Sequence, residues 1–167
     1  MDKQMEVKLS EKVKKLLSKC VKENNFIRSK PTFYTRVLED RIEFIHLHKF
    51  TFGPMFRIHI GIRFLFDDWD AISLNGPDSD AFRPKFNLEY DETETSIDNC
   101  VTNIMDFVNL IAEPWFNKWK DKTLLINDSY SPLKGENLKN EYLKFKEGYI
   151  DFNKCNISYK LLGIKKI

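Results

Sequence analysis

Hydrophobic and polar residues alternate most clearly in the segment MFRIHIGIRFLF, at about residues 55–66. Alternation with a period of two places successive side chains on opposite faces of a strand, so this segment predicts a strand with one apolar face. Two upstream runs, at about 32–38 and 41–50, are rich in β-branched and aromatic residues and predict a hairpin. A further edge strand is predicted at about 85–90.

Helical spacing of apolar residues appears both before and after this block of strands. Pro114 removes a backbone donor, so a stop or kink is expected where the second helix reaches it. The predicted helices span about residues 7–24, 96–113, 114–119 and 136–148. One helix, then adjacent strands, then further helices predicts an α+β fold, with an antiparallel sheet of three to five strands and helices packed on one face.

Length and composition narrow the class of protein. A chain of 167 residues can bury a substantial core but is short for two domains, so residues 1–167 are predicted to form a single domain. The net charge of +2 gives no global field that would select nucleic acid or an anionic membrane. Three scattered cysteines favour a reducing cytoplasm over a disulfide framework, and no segment has the length of apolar sequence that a membrane span needs.

All three histidines lie in the segment EFIHLHKFTFGPMFRIHIGIRF. If Ile45 and Leu47 join the isoleucines of the following strand in the core, opposed residues have numbers that sum to 105. This register places His46 opposite His59 and His48 on the same face. A shift of one residue would instead bury His46 and His48 among aliphatic side chains without partners.

The face that carries the histidines is also expected to be basic. The candidate binding residues are His46, His48, His59, Arg57 and Arg63. No Asp or Glu alternates onto this face along the two strands, so neither a carboxylate ligand nor an acidic partner for an imidazole is expected, and we predict no metal site and no cofactor. Histidines beside arginines would suit an anion better than a metal ion. The remaining alternative is that the histidines have no ligand and only form hydrogen bonds, within the sheet or beneath a segment that covers it.

The segment from Thr32 to Phe64 combines a Phe-Tyr-Arg-like start, an apolar strand that runs into Lys, a Gly-containing turn and a Phe-x-Ile-x-x-Gly-Ile strand. The residues of these motifs are Phe33, Tyr34, Arg36, Lys49, Gly53, Phe56, Ile58, Gly61 and Ile62. In these motifs the segment resembles the bacterial domain of unknown function 4304 family. The resemblance implies a small cytoplasmic bacterial protein without an assigned activity. Family members tend to carry Asn or Gln in place of the histidines, which argues against an inherited three-histidine metal site.

Three functions are consistent with these patterns. The first is a noncatalytic module that binds another protein, of the kind that immunity proteins represent, because no complete catalytic motif is present. The second is a binder of nucleic acid or phosphate ligands, which would use the basic sheet face together with the stripe of Lys8, Lys12, Lys15, Lys19 and Lys22. The third is a histidine-dependent enzyme.

Overall fold

Four strands, hydrogen-bonded to one another in chain order, form an antiparallel sheet. The computed structural model describes residues 2–165, so residues 1, 166 and 167 of the predicted domain lie outside the described residues. The strands are β1 (Ile27–Lys30), β2 (Phe33–Val37), β3 (Arg41–Lys49) and β4 (Phe56–Phe64). The helices are α1 (Lys3–Cys20), α2 (Glu94–Phe107), α3 (Glu113–Lys118), α4 (Lys122–Asn127), α5 (Glu136–Lys146) and α6 (Phe152–Leu161).

The α+β class and the antiparallel sheet are confirmed, and the single-domain organisation stays a prediction. The strand predicted at 85–90 is wrong: this segment makes one isolated bridge, between Met55 and Glu89. Its alternating apolar side chains are buried, but its backbone bonds to the sheet region at isolated points and forms no ladder: Phe56 N donates to Leu88 O at 3.1 Å, and Tyr90 N donates to Pro54 O at 2.9 Å. Strand β1 and helices α4 and α6 were not predicted. Within residues 2–165, no helix combines the length and hydropathy needed to cross a membrane.

The expected interruption at Pro114 takes the form of a wide helical turn. Between α2 and α3 the residues Val108–Ala112 form a π-helix, and the N–H of Glu113 donates to the carbonyl of Val108. Pro114 lies in the first turn of α3. A π-turn accommodates one extra residue within a continuous helix, so the chain changes which face it buries without ending the helix.

One face of the sheet packs against α1 and α2. Tyr34 on β2 is buried and donates from its hydroxyl to the carbonyl of Lys14 on α1 at 3.0 Å. Isoleucines of β4 and apolar residues of β3 on this face are fully or almost fully buried. Burial of this apolar surface is the main free-energy gain that holds the helices on the sheet. The buried apolar residues that β3 and β4 contribute to this face are Ile45, Leu47, Phe56, Ile58, Ile60, Ile62 and Phe64.

A buried ion-pair network fixes α3 on the same face. Arg36 of β2 lies with its Nη2 atom 2.5 Å from Oε2 of Glu43 on β3, and its Nη1 atom donates to Glu113 of α3 at 2.8 Å. Glu43 is fully buried, and its Oε1 atom has no hydrogen-bond partner among the described residues. Burial raises the pKa of Glu43, and the charge of Arg36 opposes that effect. The network therefore depends on Arg36, because an unpaired carboxylate at this depth would be strongly unfavourable.

The loop that follows β4 runs back along the outer edge of that strand. The Asn75 side chain accepts from Ile62 N and donates to Ile62 O, both at 2.9 Å. Gly76 N donates to Ile60 O at 3.1 Å, and the Ser79 hydroxyl accepts from Ile58 N at 3.0 Å. A free strand edge is a template for unwanted pairing. The Asp-rich loop thus covers this edge of the sheet.

Candidate functional site

The β3–β4 register is the one that core burial predicts. His46 pairs with His59 and His48 pairs with Arg57, while Ile45 pairs with Ile60 on the opposite face. Residues 50–55 join the two strands, and Phe50 N donates to Met55 O at 3.0 Å, which closes a four-residue turn at 51–54. The predicted clustering of the three histidines on the face away from α1 and α2 is therefore confirmed.

The histidine rings contact one another and two phenylalanines. The His46 and His59 centroids lie 5.9 Å apart with nearly parallel rings, and the His48 centroid lies 6.1 Å from His46 and 6.3 Å from His59. Phe33 of β2 stacks on His46 with a centroid separation of 4.3 Å. Phe50 meets His48 edge-on at 5.8 Å. We call these five residues, Phe33, His46, His48, Phe50 and His59, the ring patch.

The ring patch is partly open to solvent. His48 is exposed, and its other four members are half-buried. Phe52, at the tip of the β3–β4 turn, adds a phenyl ring that is 99% exposed. Exposed aromatic side chains that lie side by side are unusual on a monomer surface and are typical of binding surfaces.

Burial controls the chemistry of His46. Its Nδ1 atom is enclosed and has no hydrogen-bond partner among the described residues. Burial, reinforced by the nearby charges of His59 and His48, lowers the pKa of His46 to about 4. A positive charge on this ring would be poorly solvated and close to two other imidazoles, so His46 is neutral at physiological pH.

Two carboxylates approach the ring patch from the loop after β4, which corrects the expectation that no acidic residue would lie there. Asp78 Oδ2 accepts from Arg57 Nη2 at 2.8 Å, and Asp80 Oδ2 lies 3.0 Å from Arg57 Nε. Arg83 Nη2 lies 2.9 Å from the other oxygen of Asp80. The two arginines and two aspartates neutralise one another, so the margin of the ring patch has no large net charge.

The same loop influences His59. Burial lowers the pKa of His59, and the positive charge of Arg57 lowers it further. The carboxylates of Asp78 and Asp80 oppose both effects. His59 is therefore a neutral member of the ring patch at physiological pH, like His46.

Arg63 shares the face but not the environment of the histidines. It is almost fully buried at the far end of β4, where Nε donates to the Ser158 hydroxyl of α6 at 2.9 Å. Its Nη2 atom donates to the carbonyls of Asp67 and Trp69 at 2.8 and 2.6 Å, and Nη1 donates to that of Ala71 at 3.1 Å. Nη1 also lies 3.1 Å from Asp67 Oδ2, so all five N–H groups of Arg63 have partners within the protein. Arg63 thus organises the start of the loop and holds α6 against this face.

The polar groups of the site are engaged with one another or with rings. Among residues 2–165, no three His, Cys, Asp or Glu side chains are placed to hold a metal ion. The imidazoles meet other rings, and the nearby carboxylates are engaged by Arg57 and Arg83. What the site offers is a partly exposed aromatic surface with a paired polar margin.

The sequence pattern missed several residues of this site. Phe50 alternates with His46 and His48 along the chain, so the sequence places it on the histidine face. Phe33 pairs with His46 across β2 and β3, and only the register of that strand pair would have found it. Asp78, Asp80 and Arg83 come from an irregular loop whose return to β4 depends on side-chain bonds from Asn75 and Ser79. The spacing of apolar and polar residues in this loop does not indicate that it folds back onto β4.

Comparisons with known proteins add no relative. No family model matches the chain, and neither the curated proteins nor the solved structures contain a match. The resemblance to the domain of unknown function 4304 family therefore stays a prediction that rests on the segment from Thr32 to Phe64.

Proposed function

We propose that this protein is a noncatalytic protein-binding module of the bacterial cytoplasm, and that the ring patch is where its partner docks. Immunity proteins are examples of the class that we have in mind. The observation that carries the proposal is the ring patch itself, five rings in mutual contact and partly open to solvent. An isolated exposed ring would need no explanation, whereas a contiguous set is typical of an interface.

The composition of the surface supports a protein partner. Interface centres are enriched in aromatic residues and depleted of charged ones, and their margins are polar. Here the centre consists of phenylalanine and histidine rings, and the margin consists of the Arg57, Asp78, Asp80 and Arg83 cluster. Because the pKa of His46 is about 4, docking at neutral pH would not bury a charge on this ring.

Anion binding, the first alternative, receives less support. It relied on Arg57 and Arg63, and both guanidinium groups are engaged by groups of the protein itself. The lysine stripe lies on α1 and, at Lys22, on the turn of 3-10 helix that follows it, and α1 packs against the opposite face of the sheet from the ring patch. A phosphate backbone could not contact both surfaces at once through a single flat interface.

A histidine-dependent enzyme, the second alternative, lacks an arrangement to support it. General base catalysis needs an imidazole that a second group orients toward a reacting atom. His46 Nδ1 has no such partner among the described residues, and its neighbours within the ring patch are other rings. We therefore favour docking over catalysis.

Photo-crosslinking in cells of the source organism tests the proposal. A photoreactive benzoylphenylalanine replaces Phe52, next to the ring patch, and in a matched control it replaces Tyr130, which is 82% exposed elsewhere on the surface. We expect irradiation to give one discrete protein adduct from position 52 and none of that mass from position 130. Mass spectrometry of the adduct then identifies the partner.

The proposal also requires that the adduct depend on the ring patch. A His48→Glu substitution in the Phe52-labelled protein should abolish the adduct, because it places a carboxylate at the exposed centre of the surface. Failure to form an adduct at position 52, or the same adducts from positions 52 and 130, would count against docking at this surface.

A further inference from the structure

A second candidate binding site lies at the opposite end of β4 from the ring patch. A groove of about 1090 Å³ separates the loop after β4 from helix α5. Trp69 and Leu74 form part of the loop wall, and Asn137 and Asn140 form part of the α5 wall. Sites for small molecules usually have volumes of about 300–1,000 Å³. The groove is therefore large enough for a segment of another chain.

The α5 wall is held in place by ring packing against Phe66, which also lines the groove. Tyr142 and Phe145 of α5 contact Phe66, with ring centroids 5.9 and 5.5 Å apart. This anchorage fixes the polar side of the helix toward the groove, where Asn137 and Asn140 are both exposed. One helical turn separates the two residues, which corresponds to a rise of about 4.5 Å.

Side-chain amides are suited to a peptide main chain. Each Asn amide can donate and accept hydrogen bonds, and an extended peptide presents alternating N–H and C=O groups at about 3.3 Å per residue. Two amides one turn apart on Asn137 and Asn140 can therefore bond to neighbouring peptide units of one extended segment.

The loop wall supplies apolar contacts on a fixed backbone. Trp69 is 56% exposed and Leu74 is 46% exposed. The carbonyl of Trp69 accepts a hydrogen bond from Arg63 at 2.6 Å, and its N–H donates to Asp67 Oδ1 at 3.0 Å. The buried Arg63 also bonds the carbonyls of Asp67 and Ala71, so the loop backbone is already ordered before a ligand binds. Binding at the Trp69 indole therefore costs little conformational entropy of the loop.

The charges around the groove exclude a strongly charged ligand. Its lining contains four cationic and four anionic side chains, and several of them pair with one another. Lys154 Nζ, for example, lies 2.6 Å from Glu141. Nucleic acid would need an excess of free cations. The lining cations are Arg63, Lys134, Lys144 and Lys154, and the anions are Asp67, Asp68, Glu136 and Glu141.

From these features we infer that the groove binds an extended peptide segment of another protein. Trp69 and Leu74 contact an apolar side chain of the peptide, and Asn137 and Asn140 bond its main chain. This site goes beyond the proposed docking at the ring patch and does not depend on it.

Selection from a displayed library of random linear dodecapeptides tests the inference on the full chain. We expect enriched peptides that share an apolar residue and bind the protein in a fluorescence-polarisation titration. Trp69→Ala and Asn140→Ala should each weaken binding by at least about fivefold. Asn117→Ala, an exposed amide on α3 outside the groove, should leave the affinity unchanged.

His48→Ala distinguishes this site from the ring patch, because it should leave peptide affinity unchanged while it weakens docking of a partner there. The inference is overturned if no peptide is enriched over background, or if the selected peptides bind Trp69→Ala and Asn140→Ala as tightly as the wild type. Binding of neutral oligosaccharides in place of every peptide tested would overturn it as well.

Discussion

His46 is enclosed between a phenylalanine ring and two other imidazoles, and its proton affinity follows from that enclosure. Its pKa is about 4 in the folded protein, against 6.5 for an unperturbed histidine. Between these values the unfolded chain binds more protons than the folded one, so acidification favours unfolding. The contribution of His46 to stability is fully present above pH 6.5 and is lost as the pH falls toward 4.

A His46→Gln variant should remove this pH dependence. We expect the wild type to lose up to about 3 kcal/mol of unfolding free energy between pH 6.5 and 4 through this residue, and the variant to lose correspondingly less. Urea unfolding at a series of pH values measures the difference. His48→Gln, at an exposed position, is the control. Equal pH slopes for the wild type and His46→Gln would show that burial does not perturb this imidazole.

Gly61 provides a second test at the level of single residues. A Cβ atom at this position would overlap the Phe44 ring and lie 3.0 Å from Asn75 Oδ1. Gly61→Ala should therefore destabilise the protein by about 1–3 kcal/mol, because the ring cannot move without loss of core packing. In a double-mutant cycle, Phe44→Leu should reduce the cost of Gly61→Ala. Additive costs in chemical denaturation would mean that the ring is not the obstacle.

Among the elements, the loop after β4 acts as a substitute for a fifth strand. Asn75 bonds both the N–H and the C=O of Ile62, and these groups would otherwise lie unpaired on the outer edge of the sheet. Asn75→Ala should cost about 1–3 kcal/mol of stability, since it leaves a partly buried donor and acceptor without partners. Asn75→Asp keeps the acceptor for Ile62 N and loses the donor to Ile62 O. It should therefore lower the stability by a different amount from Asn75→Ala, which thermal unfolding measures as a separate shift in Tm. If Asn75→Ala unfolds like the wild type, the loop does not hold the edge.

The ion pairs of Arg36 join β2 to β3 and α3, and they give another prediction. Arg36→Leu leaves the buried Glu43 carboxylate without its cation and should cost about 3–5 kcal/mol. A double variant, Arg36→Leu with Glu43→Leu, should recover much of that loss, because it removes the uncompensated charge. Equilibrium unfolding in urea measures both. A double variant no more stable than Arg36→Leu alone would contradict the charge-based explanation.

The sequence was most informative where local pattern and core burial coincide. The Ile58, Ile60 and Ile62 alternation determined the buried face of β4, and matching it to Ile45 and Leu47 led to the correct register. Strand β1 was missed because it has only four residues, and its only strong apolar side chain, Ile27, is 68% exposed. The roles of Asp78, Asp80 and Arg63 depend on a loop conformation that long-range side-chain bonds define, and such bonds leave no local pattern.

Across the whole molecule, the proposed docking surface and the lysine stripe lie on opposite sides of the sheet. Lys8, Lys15 and Lys19 are exposed on α1 and Lys22 is exposed just beyond its end, whereas the charged groups beside the ring patch are paired. A partner bound at the ring patch should therefore show an affinity that depends only weakly on salt, because few counterions are released. Anion binding at the stripe would instead weaken steeply with salt.

The measurement that tests the central claim most directly is the affinity of the crosslinked partner for variants of the ring patch. Calorimetric titration at pH 7.5 would compare the wild type with His48→Ala, Phe50→Ala and the remote control Tyr130→Ala. We predict that His48→Ala and Phe50→Ala each weaken binding by about tenfold or more, with no change for Tyr130→Ala. Wild-type affinity in both ring-patch variants would contradict the account.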